Sequence, residues 1–530
     1  MSRVHIRVLP HGYVTPTDRV ARALAVFLLV ASVLFVAFAG TFPFDFAIPE
    51  GGWWDGTRRQ FDWRWMQWDP GNVDRLQNVL FFVPFGFALS AVIGRRRARH
   101  IRQVISALLL GMGLSLIVEL TQALVSFRDP ALQDLWCNTL GSVIGAGIFI
   151  AGGDRLVRLA ARGLLNLRWL VSSPILATAL TIYTLLMVSA PLLIRRPGDL
   201  SVWDTGMLLT VGDHAANDRP WDGFVSEIVL ADRAVEAEQA QALAAGAAPA
   251  DLLGESLLGQ YVLRGPAPYP DLTGKLKPLN WMGQRPDELE VSSTGPPHLY
   301  SYHWLATGAS IAPAIHRIRS SGELSLAFVA ATANTRQHGP ARIVTISNRR
   351  GFNLAVGQED SDLTVRLRSA IRTSPDLHVR DVLADFHAHH ILLTHRNGQI
   401  RVYVDGLERG RVEITPEAKI IWRLYPRNWF RLRMERYGLG SYATIYRVMA
   451  LVPFAALLTA TLATSTLSMK HRRTAAAGAA LLVAVLLEII LGLESASGFQ
   501  LRNLLISIIV AFATLAAMEA WRARSPQSSM

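Results

Sequence analysis

Gln77-Asn-Val-Leu-Phe-Phe-Val-Pro-Phe-Gly-Phe-Ala-Leu89 holds thirteen residues, none charged, around a Pro-Phe pair. A helix with an interior proline and no charged face is poorly suited to water. The stretch recurs 369 residues later as Tyr446-Arg-Val-Met-Ala-Leu-Val-Pro-Phe-Ala-Ala-Leu-Leu458, with Pro84-Phe85 set on Pro453-Phe454. Without gaps, the same offset places Glu119 on Glu488, Asp134 on Asn503 and Leu135 on Leu504, and superposes the basic loops. The chain therefore reads as two four-helix halves, parallel because an even number of crossings returns to the starting side. A chance match of two apolar helices is the competing reading. The shared Val-x-x-x-Val-Pro-Phe and the coincident Glu weigh against it.

Working outward, runs of about 18 to 25 apolar residues, long enough to span, occur near 20–41, 76–93, 104–121, 135–152, 170–194, 446–466, 474–493 and 503–520. Of the 530 residues 51% are hydrophobic and 18% charged, against about 25% charged in soluble proteins, and mean hydropathy is +0.26. These values exclude a disordered chain, a coiled coil or a single soluble domain. The fold class expected is an α-helical membrane protein of eight transmembrane helices, arranged as two four-helix repeats, with an all-β jelly-roll sandwich inserted. Its segments are an N-terminus at 1–19, a four-helix membrane domain at 20–152, a linker at 153–169 and a fifth span at 170–196. The sandwich at 197–440, three spans at 446–521 and a tail at 522–530 complete it.

Net charge is +12, which invites a nucleic-acid partner until the charge is located. The N-terminus, the tail and every second loop together hold 18 Lys and Arg, among them Arg95, Arg96, Arg97 and Arg99. They face only Asp18, Asp154 and Glu519. That side carries +15 and the remainder −3, so the basic excess reads as positive-inside topology and no nucleic acid is expected. Both termini are expected in the cytoplasm and the sandwich outside. A cleaved signal ending at Ala37-Phe-Ala39 is the competing reading of the first run; its length and the seven runs that follow disfavour it. The single cysteine, Cys137, rules out an intrachain disulfide and a cysteine zinc site.

Glu119 and Gln122 stand three apart at the end of the third run, and Asp134 and Asn138 four apart at the start of the fourth. A hairpin through Arg128 brings both pairs to one depth. Ionisable groups in spans face the bundle interior and pair there. Two readings stay open: a clasp between helices, or a small polar pocket for a lipid-linked or glycan head group.

Val118-Glu-Leu-Thr-Gln122, Arg128 and Asp134-Leu-x-x-Asn138-Thr-Leu-Gly141-Ser-x-x-Gly145 resemble the signature of the VanZ-like membrane family. So do Gln77-Asn78 through Gly86 and the outer Phe42-Pro-Phe-Asp-Phe46. The resemblance spans about 20–152 and implies an envelope membrane setting, with glycopeptide (teicoplanin-type) tolerance or exopolysaccharide processes as its context. It supplies no reaction. The second half keeps Glu488 but has Leu491, Ser497, Asn503 and Ser507 at the other cluster positions, so any activity is expected from the first half.

Between residues 197 and 440, short alternating runs are bounded by Gly, Asn and Asp. Ile391 to Arg396 and Gln399 to Val404 flank Asn397-Gly398, a hairpin signal, and Asp405-Gly406 marks a second turn. This hairpin, and Arg219-Pro-Trp-Asp-Gly223 with the run after it, resemble laminin-G/concanavalin-A-like jelly rolls, though that run usually comes late in such domains and here it leads. Glucanases of this fold use Glu-x-Asp-x-x-Glu, which does not occur here, so hydrolysis is not expected. Asp385-Phe-His387-Ala-His389-His390 has metal-like composition, but His390 fits the hairpin's usual histidine, so no metal is expected. No cofactor is expected either, although structural calcium stays compatible with the fold.

Trp53, Trp54, Trp63, Trp65 and Trp68 crowd the first outer loop. They suit an interfacial belt or stacking on sugar rings. Arg423, Arg427, Arg431, Arg433 and Arg436 precede the sixth span and suit lipid phosphates or an anionic envelope polymer. The expected partners are membrane lipids, envelope glycan or a lipid-linked precursor, and other envelope membrane proteins. The function expected is a non-catalytic inner-membrane protein with a glycan- or protein-binding sandwich. The alternative is an enzyme or carrier on lipid-linked glycan that uses Glu119 and Asp134.

Overall fold

A computed structural model describes residues 15–42, 44, 46, 73–94, 100–125, 130–167, 169, 172–193, 198–283, 295–368, 376–424, 433–434, 440–495 and 497–524. The chain forms two compact units, Met1–Thr178 and Ala179–Met530. Eight helices among the described residues are long and apolar enough to cross a membrane.

The first unit contains α1 (Pro16–Thr41), α2 (Val73–Ile93), α3 (His100–Gln122) and α4 (Leu132–Ile148), which continues through a π-turn into α5 (Asp154–Asn166). Helix α1 starts at a capping box, where Thr15 Oγ1 accepts from Asp18 N–H at 3.1 Å and the Asp18 carboxylate answers the Thr15 N–H. Helices α2 and α4 pack with almost nothing between them. A Cβ at Gly141 would collide with the carbonyl of Val79, one at Gly145 with that of Val83, and one at Gly86 with that of Ser142. Such small-residue seams let backbones approach where apolar packing alone gives no preference over lipid. The 153–169 linker of the sequence reading is largely α5, with Val157 and Ala161 buried and Arg158 paired with Asp154 at 3.1 Å.

Helix α6 (Ser173–Leu193) holds the division between the units, and the rest of the second unit begins with the β region. Its strands are β1 (Leu208–Val211), β2 (Gly223–Ala231), β3 (Leu257–Val262), β4 (Leu279–Gly283), β5 (His298–Leu299), β6 (His303–Thr307), β7 (Glu323–Thr332) and β8 (Gln337–Asn348). There follow β9 (Gly351–Asp360), β10 (Asp362–Leu367), β11 (Asp376–Val379), β12 (His389–Arg396), β13 (Gln399–Val404), β14 (Leu407–Glu413) and β15 (Arg433–Met434). Short helices α7 (Ala237–Ala244), α8 (Pro249–Leu253) and α9 (Ala312–Ser321) interrupt them, and α10 (Pro416–Leu424) follows β14. Helices α11 (Gly440–Ala463), α12 (Met469–Glu494) and α13 (Leu501–Arg524) end the chain.

One sheet runs β15-β11-β10-β9-β8-β1-β6-β4 and the other β14-β13-β12-β7-β2-β3 with β5 on β2. All described pairings are antiparallel except β11 with β15. Alternation shows what covers the second sheet. The row Val229, Ala327, Leu392 and Tyr403 packs with Val235, Ala240, Leu243 and Leu253 on and beside α7 and α8. The neighbouring row, Ile228, Phe328, Ile391 and Val404, points to the opposite face and is buried too. The first sheet covers that face: Thr332 Oγ1 on β7 donates across to Gln358 Oε1 on β9 at 2.9 Å, and Trp221 Nε1 donates to the same oxygen at 2.7 Å.

The predicted hairpin turns are present. Asn397 and Gly398 have φ of 51° and 82°, and Asp405 and Gly406 of 52° and 80°, the paired positive angles of a two-residue type I′ loop. Beneath the first turn, the fully buried His395 accepts the Gly398 N–H at Nε2, 3.3 Å away. Burial drives its imidazole down to about 4. A depressed histidine stabilises above its unfolded value near 6.5, and that contribution is lost as pH falls toward 4, by about 3 kcal/mol in all. Asp213 works the other way: burial lifts its carboxyl to about 6, so its favourable contribution is lost as pH rises through that value. We expect full-length protein in detergent to lose stability from pH 6.5 to 4 more steeply than His395→Gln. Parallel thermal melts would refute the assignment.

Helix α11 shows how an interior proline is served. Pro453 cannot donate to the carbonyl of Met449, four residues back; Tyr183 on α6 donates its hydroxyl to Met449 O and Ala450 O instead, each at 3.0 Å.

Candidate functional site

Glu119 is 1% exposed, and its Oε2 accepts the Ala131 N–H at 3.0 Å. Ala131 is the N-cap of α4 and has no side-chain acceptor of its own. A carboxylate from α3 thus satisfies a backbone donor at the positive end of α4. Gln122 Nε2 donates to Gly40 O at the end of α1, 3.0 Å away. Asn138 turns from this group and donates to Ser115 Oγ at 2.9 Å, one turn deeper on α3. Asp134 occupies the first turn of α4. The structure therefore brings Glu119 and Gln122 to neighbouring helix ends, while Asn138 bonds elsewhere. Each of these three bonds joins one helix to another. Arg128 and Trp53, Trp54, Trp63, Trp65 and Trp68 lie outside the described residues.

The second unit holds a cluster of which the sequence singled out Glu488 but neither Arg447 nor Glu417. Arg447 on α11 is fully buried and grips both oxygens of Glu488 on α12, Nε to Oε1 at 2.7 Å and Nη2 to Oε2 at 2.6 Å. Its Nη1 reaches Glu417 Oε1 on α10 at 3.0 Å and the carbonyl of Ala443 at 2.7 Å. Ser507 on α13 donates to Glu488 Oε1 at 2.6 Å. Three helices meet on one guanidinium, whose planar fork suits two carboxylates at once, and α13 joins through Glu488. The signal available in advance was an arginine inside an apolar run, which is costly without a partner. Above it lies a cavity of about 500 Å³ between β13–β14 and the ends of α11–α13, lined by Glu413, Glu417, Arg447, Glu488 and Arg502 among others. Glu413 at the end of β14 accepts from Ser495 Oγ and Ser497 N–H, both at 3.1 Å.

On the sandwich, Phe224, His298, Tyr300 and His303 form a ring stack with successive centroids 4.6, 5.0 and 4.1 Å apart. The first three rings are partly exposed, and His298 Nε2 lies 2.9 Å from Asp222 Oδ1. The histidine-rich run folds into a fastening. His389 bridges Asp405 at 2.8 Å and Asp385 at 3.1 Å, and Asp405 also accepts the His390 N–H. Burial lowers the His389 imidazole, but the two carboxylates outweigh it and the net direction is up. Among the described residues no three His, Cys, Asp or Glu side chains are placed to hold a metal ion.

Residues 24–156 match the VanZ/LLP1 family model, a segment of about a quarter of the chain that contains Glu119, Gln122, Asp134 and Asn138. No curated protein and no solved structure matches the chain.

Proposed function

We propose that this chain, whose residues 24–156 form a VanZ-like membrane domain, is a bacterial inner-membrane protein that holds a glycan-binding sandwich outside and catalyses no reaction. The ring stack Phe224–His298–Tyr300–His303 beside Asp222 carries this reading. Flat rings suit the apolar faces of sugars, and a neighbouring carboxylate accepts their hydroxyls. The two-sheet build and its paired Asn-Gly and Asp-Gly turns support a laminin-G/concanavalin-A-like jelly roll. Placement of the sandwich outside rests on the +15 charge of the opposite loops.

The non-catalytic part rests on Glu119. A general acid or carrier group must be open to its ligand, whereas this carboxylate is buried against the N-terminus of α4. Two degenerate repeats are supported by the shared pattern of contacts. Glu119 and Glu488 are both buried at the third helix of their set, and Asn138 and Ser507 both bond back to that helix.

The test uses full-length protein in detergent on an array of peptidoglycan fragments and exopolysaccharides. Tyr300→Ala combined with Phe224→Ala is expected to weaken the best ligand about tenfold. A wild-type protein that retains no glycan refutes the reading. For the membrane domain, Glu119→Gln and Asp134→Asn are expected to preserve abundance, envelope integrity and teicoplanin-type tolerance. Loss of these traits at normal abundance would favour the enzyme or carrier.

A further inference from the structure

The charges around the cavity of the second unit are unevenly placed. At its buried end, Glu417 and Glu488 share the single guanidinium of Arg447. Glu488 uses both oxygens, whereas Glu417 uses only Oε1, and its Oε2 takes no donor among the described residues although the side chain lines the cavity. At the exposed end stand Arg502 and Arg411. Arg502 has no carboxylate partner among the described residues, and the pairing of Arg411 with Glu408 is long, 3.8 Å. Between the two ends, Glu413 accepts from Ser495 Oγ and Ser497 N–H, both at Oε1, and offsets one of these two arginines. The wall is neutral in sum but divided, with a negative excess inside and a positive excess outside.

A complementary guest leads with a cation and keeps an anion outside, a few bonds away. We propose that the cavity binds a phosphate–ammonium zwitterion of the ethanolamine phosphate type, with the ammonium on Glu417 Oε2 and the phosphate at Arg502. Charge-assisted hydrogen bonds of this kind are among the stronger ones available to a protein, and a guanidinium is well matched to phosphate oxygens. The volume of about 500 Å³ accommodates such a group together with attached glycerol. The cavity lies where α11 begins at Gly440, α12 ends at Glu494 and α13 begins at Leu501, and ends of spans lie at head-group depth. A membrane phosphatidylethanolamine and a free phosphomonoester both carry this chemistry.

The experiment offers equal amounts of phosphatidylethanolamine, phosphatidylcholine and phosphatidylglycerol to full-length protein in detergent and counts retained lipid by native mass spectrometry. The ethanolamine lipid is expected to be retained about tenfold over the other two, because choline cannot donate a hydrogen bond and glycerol carries no charge. Glu417→Gln should bring the ratio near one, whereas Arg502→Gln, at an exposed position, should lower retention of all three lipids about tenfold, with thermal melts confirming that the variants are folded. A second arm titrates free O-phosphoethanolamine into lipid-free micelles. Stabilisation there that vanishes in Arg502→Gln assigns the site to a soluble zwitterion; retention of the lipid without that response assigns it to the head group. Equal retention of the three lipids with no response to the free compound overturns the proposal. So does a preference that Glu417→Gln keeps, or retention that Arg502→Gln leaves unchanged. Glycan binding at Tyr300 is read separately on the same preparation, so either reading can fail alone.

Discussion

Arg447→Ala is expected to destabilise the second unit by about 3–5 kcal/mol, because removal of one partner from a buried ion pair leaves charge without compensation. Here two carboxylates, Glu417 and Glu488, would be left at once. Thermal unfolding of full-length protein in detergent, followed by tryptophan fluorescence, measures the loss. Arg473→Ala is the control: Arg473 pairs with Glu519 at 3.0 Å, but its side chain is 63% exposed, and such pairs contribute about 0–1 kcal/mol. Combining Arg447→Met with Glu488→Leu should recover much of the deficit, since one buried charge then no longer lacks its partner. If Arg447→Ala melted with the wild type, the cluster would be no fastening at all.

Gly145→Val should disrupt the first unit just as sharply, by about 3 kcal/mol or complete loss of folded protein. Its new Cβ would meet the backbone of α2 at Val83, which has no rotamer to move. Gly147 lies two residues along the same helix, where an added Cβ meets nothing within 4 Å. Gly147→Val should therefore be nearly neutral. Comparable yield and melting of the two variants would show that the α2–α4 seam tolerates separation.

Much of the fold was legible in the sequence because the two strongest signals are local. Apolar runs located the eight long apolar helices of the described residues, and the structure mainly lengthens them. Helix α11 begins at Gly440 rather than near 446, and α12 begins at Met469 rather than 474, since hydrogen bonding continues a helix past the apolar stretch that hydropathy detects. Asn397-Gly398 fixed a turn because few residue pairs accept two successive positive φ values. Sites were less legible. The repeat pointed to Glu488, but its partner Arg447 lies 41 residues away, and Glu417, the second carboxylate on Arg447, lies 30 residues from Arg447; no local periodicity joins them. Asn138 looked like a companion of Asp134 by spacing. Its choice of Ser115 depends on how deeply α3 and α4 overlap, and spacing within one helix does not report that.

The grip of Glu413 on Ser495 and Ser497, with Trp422 of α10 edge-on to Tyr442 of α11 at 5.5 Å, has a consequence for reach. A receptor on a loose tether sweeps a volume and finds ligands at many distances. The sandwich of this chain is fastened at two places to the helices that follow it, so its position relative to them is set. Under the glycan-binding role proposed above, a ligand on the aromatic row would be met at one set position relative to those helices, so occupancy would depend on where the ligand lies as well as on its chemistry.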